Sequence, residues 1–442
     1  MTLSRLLKLS AAVAVTACSE GTTTISPPPP PPPPPPVMAG VYELTTIGDT
    51  PNTGDLEPFR SIVGNARFVA LGESTHTSRG FYQAKVRLIK FMIEKMGFRA
   101  LAFETPWLDG RKASEYVKSC AGTPEAAMVG MFRVWHDATV RDLLRYMCEH
   151  NRDFPNDPVT FYGFDIQEPW SSAPALRQFI QTAAPSQISR MDPVMRCLGA
   201  THINDQFFVS QEYIDHRDGR RNQAAHDDCI RGITDIESWI AANTASLISA
   251  SSARSVEEAR LYLVALRAWQ DQLWVPDPGG YQARDYGMSQ MIPRLGALQA
   301  PGKKTIIWAW NWHIARRYEE VRGWNDNPDE RIGRQGARAM GSFLHDALGA
   351  DYVTVGLIGR RVLSIIGVSP PITFHPQAVE FRLSQLGKNY LLVDLRQPLP
   401  ESLLPAGPVY QVSQEWGNPY RQFDALLYLD ESVPMTFLPI GQ

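Results

Sequence analysis

From residue 66 onward the chain alternates short apolar runs with longer stretches of helical spacing. Residues 66–72 hold Phe68-Val69-Ala70-Leu71 and stop at Gly72, the pattern of a buried strand. Residues 79–96 then place Phe81, Leu88, Ile89, Met92 and Met96 at helical intervals, and 98–103 reads as the next strand. Strand, helix and strand within ~40 residues predict a parallel βαβ unit. Apolar, β-prone runs recur at 159–164 (VTFYGF), 304–310 (KTIIWAW), 352–358 (YVTVGLI), 390–395 (YLLVDL) and 424–429 (DALLYL). Helical patterns separate most of them, as at 139–150 and 337–348. This alternation predicts an α/β fold, a mostly parallel sheet with helices on both faces.

One interval breaks the rhythm. Residues 171–300 show helical spacing and no convincing strand. The clearest helix, 255–274, opens with Ser255 and Glu258 in capping-box spacing and carries Ala259, Tyr262, Leu266, Trp269 and Leu273 on one face. We read 171–300 as a helical insertion dividing an α/β body formed by 41–170 and 301–442. No internal repeat is visible.

The first 40 residues follow different rules. Met1 to Ala17 combines Arg5 and Lys8 with an apolar stretch from Leu9 to Val15, the layout of a secretory signal and too short for a spanning helix. It ends Val15-Thr16-Ala17-Cys18, similar to a bacterial lipobox, so Cys18 is the expected lipidation site and the periplasm-facing cell envelope the expected location. Ten prolines, Pro27 to Pro36, then predict a stiff polyproline II spacer of roughly 30 Å within the linker 18–40. Setting Cys18 aside leaves Cys120, Cys148, Cys197 and Cys229. In an exported protein these imply two disulfides, and pairing by neighbourhood gives 120–148 and 197–229. A net charge of −3 and the lack of a basic stripe argue against nucleic acid as a partner.

Ligands of open α/β sheets bind beyond the carboxyl ends of the strands, so polar residues there are the candidates for chemistry. The run at 66–72 delivers Glu73 and His76, that at 98–103 Glu104, that at 159–164 Asp165, and that at 304–310 Asn311 and His313. Four strand ends bring ionisable groups to one side. GxSxG, HExxH, GxxxxGK[ST] and GxGxxG are all absent, which disfavours a serine hydrolase, a zincin or a nucleotide enzyme.

GESTH at 72–76 resembles the GE-x-TH block of the erythromycin esterase family. The resemblance continues through Lys85, AFE at 102–104, FYGFD at 161–165 and Arg284-Asp285-x-x-Met288. It goes on with WAWNWHIA at 308–315 and FDALLYLD at 423–430, covering about 65 to 430. It implies an α/β core with helical additions and hydrolysis of an ester or macrolactone, with macrolide inactivation as the family's activity. It implies His76 as a general base on water, oriented by Glu73 and Glu104, with His313 as a further catalytic residue. Lys85, Arg284, Asp285, Asp165 and the residue at 310 fall on its substrate side, Lys85 and Arg284 as positive charge for a developing oxyanion. No cofactor is implied; the partner is a small-molecule ester or lactone.

Two positions depart from the family pattern. Thr77 stands where glycine usually follows GE-x-TH, and Trp310 replaces the first histidine of a late HNxH block. An indole donates one hydrogen bond and exchanges no proton, so if that position normally protonates the leaving alkoxide, hydrolysis here is slow or altered; alternatively, the indole widens the apolar wall of the pocket for a different substrate. Two other readings compete. Glu73, His76, Glu104 and His313 form a set seen in metal centres, which would make a metal-dependent hydrolase. A catalytically weak carbohydrate- or small-molecule-binding lipoprotein would also accommodate Trp310.

Overall fold

A computed structural model of the protein describes residues 36–167, 169–197, 223–322, 335–363, 377–411 and 415–440. The signal segment, Cys18 and most of the proline run lie outside the described residues, as does the Cys197 side chain. Among the described residues there are ten strands: β1 (Val41–Glu43), β2 (Phe68–Leu71), β3 (Phe98–Pro106), β4 (Thr160–Asp165), β5 (Lys304–Trp308), β6 (Tyr352–Val362), β7 (Tyr390–Asp394), β8 (Val409–Gln411), β9 (Glu415–Gly417) and β10 (Ala425–Ser432). Eight form one sheet in the order β1-β7-β10-β6-β2-β5-β3-β4, and β8 and β9 make a separate hairpin. The run from β10 to β4 is parallel; β7 and β1 pair antiparallel at one edge.

Alternation along each strand sorts the two faces. Val69, Leu71, Leu101, Phe103, Ile306 and Trp308 point to one core, together with α1 (Arg79–Met96) and α2 (Ala138–Asp153). Ala70, Ala100, Ala102 and Ile307 point to the other, under α3 (Ala253–Trp274) and α4 (Gly279–Gln299). Both faces are covered, which is why the central strands read as continuous apolar runs. The α1 helix stops at Gly97, whose φ of +73° lets its N–H turn back to the Met92 carbonyl.

Between β4 and β5 the described residues hold helices. Those at Pro169–Ala183 and Gln223–Ala242 share a small core of their own with α3, built around Leu176, Ile180, Ile233 and Ile236. The cap of α3 is Ser252, not Ser255: its hydroxyl accepts from the Ser255 N–H at 3.0 Å, so the helix begins two residues before the expected start. Cys120 and Cys148 form a disulfide linking the end of the helix Arg111–Ser119 to α2. No described helix is long and apolar enough to cross a membrane.

Candidate active site

The sheet register brings three strand ends level. Leu71 of β2 lies beside Trp308 of β5, which lies beside Phe103 of β3. The residues that follow, Glu73, Glu104 and Trp310, therefore emerge side by side. Gly72 is required by the close approach of the neighbouring chain, since a Cβ there would stand 2.0 Å from Asn311 Oδ1. Asn311 in turn donates its N–H to the Glu73 carbonyl at 3.0 Å and its Nδ2 to the Leu357 carbonyl at 2.9 Å. It fastens the loops after β2 and β5 to β6.

Glu73 is fully buried and divides its carboxylate between two partners. Oε1 lies 2.9 Å from His76 Nδ1, and Oε2 meets the Lys85 ammonium. Lys85, on the second turn of α1, is itself fully buried; it donates to the Ala309 carbonyl at 3.0 Å and lies 4.4 Å from the Trp308 ring centre. Because a carboxylate only accepts, His76 carries its proton on Nδ1 and keeps the Nε2 lone pair. Burial brings the imidazole down to about 4, opposed by the Glu104 charge and reinforced by His313 and Arg284. His76 is therefore neutral at neutral pH, with 18% of its side chain exposed.

The second cluster centres on Arg284, from α4. Its guanidinium grips Asp165 through Nε at 3.2 Å and Nη2 at 2.5 Å, and reaches Glu104 Oε1 at 3.2 Å. Burial alone would lower it, but Asp165, Glu104 and Asp285 hold it above its usual range. Its Nη1 also donates to His313 Nε2 at 3.0 Å, and His313 Nδ1 donates to Asp285 Oδ1 at 2.8 Å. Arginine cannot accept, so the His313 tautomer is set and its Nε2 lone pair is occupied. Glu104 Oε2 accepts the Trp310 backbone N–H at 2.9 Å. The structure thus gathers Glu73, His76, Glu104, Asp165, Arg284, Asp285, Trp310 and His313 at one sheet end. Lys85 lies fully buried beneath Glu73, and Asp285, 5% exposed, accepts from His313 Nδ1 and from the Met340 N–H at 2.7 Å.

Strand β5 ends at Trp308, so Trp308 and Trp310 do not continue one strand face. Trp308 is buried beneath Lys85, whereas Trp310 stacks on Trp312 with ring centres 3.7 Å apart and leans on His76 at 4.7 Å. A residue missed by sequence reasoning, Trp135, closes the other side. It meets His76 edge-on at 5.0 Å and donates its Nε1–H to the Glu104 carbonyl at 2.5 Å. Its only sequence signal is the apolar pair Val134-Trp135 between Arg133 and His136-Asp137. Thr77 takes a φ of +61°, the left-handed region that suits glycine and strains a β-branched residue. The Tyr82 hydroxyl accepts the Thr77 N–H at 3.0 Å and donates to the Val134 carbonyl at 2.8 Å, joining the His76 loop to the Trp135 loop.

One ligand atom each from Glu73, His76 and Glu104 lies within 4.8 Å of the others, close enough to share a metal ion. Their other commitments oppose it. Glu73 is paired with the Lys85 cation, and Glu104 with the Arg284 guanidinium and a backbone N–H. A divalent ion would displace or oppose two positive charges.

The family model described as Erythromycin esterase matches residues 93–432 of the chain. The chain belongs to the erythromycin esterase family. The erythromycin esterase match holds Glu104, Asp165, Arg284, Asp285, Trp310 and His313, and begins after Glu73, His76 and Lys85. YbfO of Bacillus subtilis (strain 168) is 31% identical over 152 residues, 34% of this chain and 32% of that one. Erythromycin esterase type II of Escherichia coli is 29% identical over 115 residues, 26% and 27% of the two chains. The chain thus aligns with a third or less of the length of these curated relatives. A solved structure of an erythromycin esterase mutant in its open conformation shares the fold at a TM-score of 0.71 and 17% identity. It covers 90% of this chain and 98% of its own.

Proposed function

We propose that the protein hydrolyses the ester or lactone bond of a small molecule, with His76 as the general base on water. The observation that carries this is the line Lys85–Glu73–His76. A buried ammonium holds a buried carboxylate, and the carboxylate holds an imidazole in the tautomer that leaves Nε2 able to accept a proton. Water deprotonated at Nε2 attacks the carbonyl carbon, and the proton stays on the ring as imidazolium. Glu73 and Glu104 stabilise that cation, because each places negative charge beside the ring. Collapse of the tetrahedral intermediate expels the alkoxide, which takes the proton back from His76. Arg284 is the cation nearest the reacting layer, yet Asp165 and Glu104 neutralise much of its charge, so its help to an oxyanion is modest. His313 and Asp285 act by orienting Arg284.

Macrolide lactones are the substrate class implied by the family name of the relatives, and simple esters the broader one. The test is turnover of both by the purified protein, beside a His76→Ala variant of unchanged melting temperature. No turnover of any ester or lactone, or equal turnover by the variant, rejects the reading. A metal-dependent hydrolysis is the competitor that the Glu73–His76–Glu104 cluster favours; loss of activity on chelation, restored by a divalent ion, would select it. We also propose that Cys18 anchors the chain by lipid at the envelope. The support is the lipobox-like VTAC before the proline run, and Cys18→Ala should release active protein from the membrane fraction.

A further inference from the structure

A cleft of about 550 Å³ opens beside the first residues of β4, on the outermost strand of the sheet. Thr160, on its lining, precedes Asp165 by roughly 16 Å of strand, so the cleft is separate from the cluster at the strand tips. The volume falls in the ~300–1,000 Å³ range of small-ligand sites. Two helices wall it. The helix Arg111–Ser119 contributes Arg111, Glu115 and Lys118, and α3 contributes Arg254, Glu258 and Tyr262, each set at the spacing of one helix face. The Tyr262 ring stacks on buried Trp107, 5.2 Å between centres and 26° from parallel.

The back of the cleft is fixed. Asn151 accepts the Val159 N–H at 2.6 Å and donates to the Val159 carbonyl at 2.8 Å and the Val117 carbonyl at 2.9 Å. Its amide thereby stands in for a neighbouring strand at the sheet edge and ties that edge to one wall. On the other wall Arg254 is spent on Glu258 at 2.9 Å and the Leu298 carbonyl at 2.9 Å. Arg111, Glu115, Lys118 and the half-buried Tyr262 hydroxyl make no side-chain hydrogen bond among the described residues. Burial, with the Glu258 charge, pushes the Tyr262 phenol up to about 12, so it stays a neutral donor and acceptor.

We propose that this cleft binds a short, uncharged oligosaccharide. A simple anion would face Glu115 and Glu258, and a simple cation would face Arg111, Lys118 and Arg254. A wholly apolar ligand would strip water from charges of both signs at a cost nothing there offsets. A sugar meets each group on its own terms: the apolar face of a pyranose lies against the Tyr262 ring, and its hydroxyls donate to Glu115 while accepting from Arg111 and Lys118. The cleft is a binding site, and it stands whether or not His76 hydrolyses esters.

The test is isothermal titration of the full-length protein with maltotriose, cellotriose and chitotriose as probes. The expected result is saturable one-to-one binding of at least one of them. That binding should weaken about tenfold or more in Tyr262→Ala, a loss of about 1.4 kcal/mol. Because Tyr262 also packs on Trp107, a second variant changes only exposed side chains, Arg111→Ala with Lys118→Ala. It should weaken binding with the melting temperature unchanged. No binding of any probe overturns the proposal, and so does binding that survives both variants, which would put the sugar elsewhere.

Discussion

The indole of Trp135 touches the imidazole of His76 with its edge, 5.0 Å between ring centres, while its Nε1–H holds the backbone carbonyl of Glu104 at 2.5 Å. One side chain therefore shields the base from water and fixes the strand end that carries a neighbouring carboxylate. Replacing Trp135 by Leu should admit water around His76 and let its titration move up from about 4 toward the ordinary 6.5. Trp135→Phe keeps much of the ring contact and should move it less. The measurement is the His76 ring resonance followed by NMR across pH, which needs no substrate. A titration unchanged in both variants would leave Trp135 as ordinary core.

The low value for His76 also fixes two pH dependences. Turnover by a neutral imidazole should hold from neutral pH downward and fall only through about pH 4. Stability follows from the same shift. Between pH 6.5 and about 4 the unfolded chain binds a proton at position 76 that the folded protein does not, so stability falls as the pH drops through that window. His76→Ala should flatten this part of the stability profile in urea titrations at stepped pH. A wild-type acid limb near 6.5 would contradict the assignment.

Lys85 and Glu73 form an ion pair with neither side chain exposed. Lys85→Met leaves the carboxylate buried without its cation and should cost ~3–5 kcal/mol of stability. Adding Glu73→Gln removes the stranded charge and should restore much of that loss, though not activity. Chemical denaturation of the single and double variants checks this. Additive losses would mean that the two side chains act separately.

Position 310 holds tryptophan where the resemblance to the erythromycin esterase family leads us to expect histidine. If the missing histidine protonates leaving groups, Trp310→His should speed hydrolysis of esters with poor alkoxide leaving groups and do little for activated esters, whose leaving groups need no proton. If Trp310 instead builds the wall that leans on His76 and stacks on Trp312, the smaller imidazole should weaken binding of bulky substrates and help none. Steady-state kinetics on matched ester pairs separate the two.

The sheet was legible because a parallel strand buried on both faces must be apolar along its buried length, as are the FVAL of β2, the ALAF of β3, the IIW of β5, the VGLI of β6 and the ALLYL of β10. Register was not legible, and it is register that makes Leu71, Trp308 and Phe103 neighbours. The polar tips were readable for the same reason as the strands: Glu73, Glu104, Asp165 and His313 each interrupt or follow an apolar run. What they do to one another was not. Nothing in sequence distinguishes Lys85, buried under Glu73, from a lysine facing substrate, since both sit at a helical position after the loop. Trp135 was hidden because it comes from a single 3₁₀ turn, too short to carry periodicity. The start of α3 differs because Glu258 gives Ser255 the capping-box spacing in sequence, whereas the backbone places the cap at Ser252, whose hydroxyl takes the Ser255 N–H.

The segment after β10 crosses both loops that hold the base. Its Met435 N–H bonds the Thr77 carbonyl at 2.8 Å, the Val433 carbonyl takes the Arg79 N–H at 3.0 Å, and the Leu438 N–H bonds the His136 carbonyl at 2.8 Å. The residues directly after His76 and Trp135 are thus latched to one strip of chain beyond the last residue of the family match. Amide exchange gives this a kinetic meaning. If the strip frays as a unit, the Met435 and Leu438 amides should exchange with one common opening rate, and each opening would release the imidazole and the indole together. The strength of the base would then be set partly by how often a surface segment with no ionisable side chain of its own lets go.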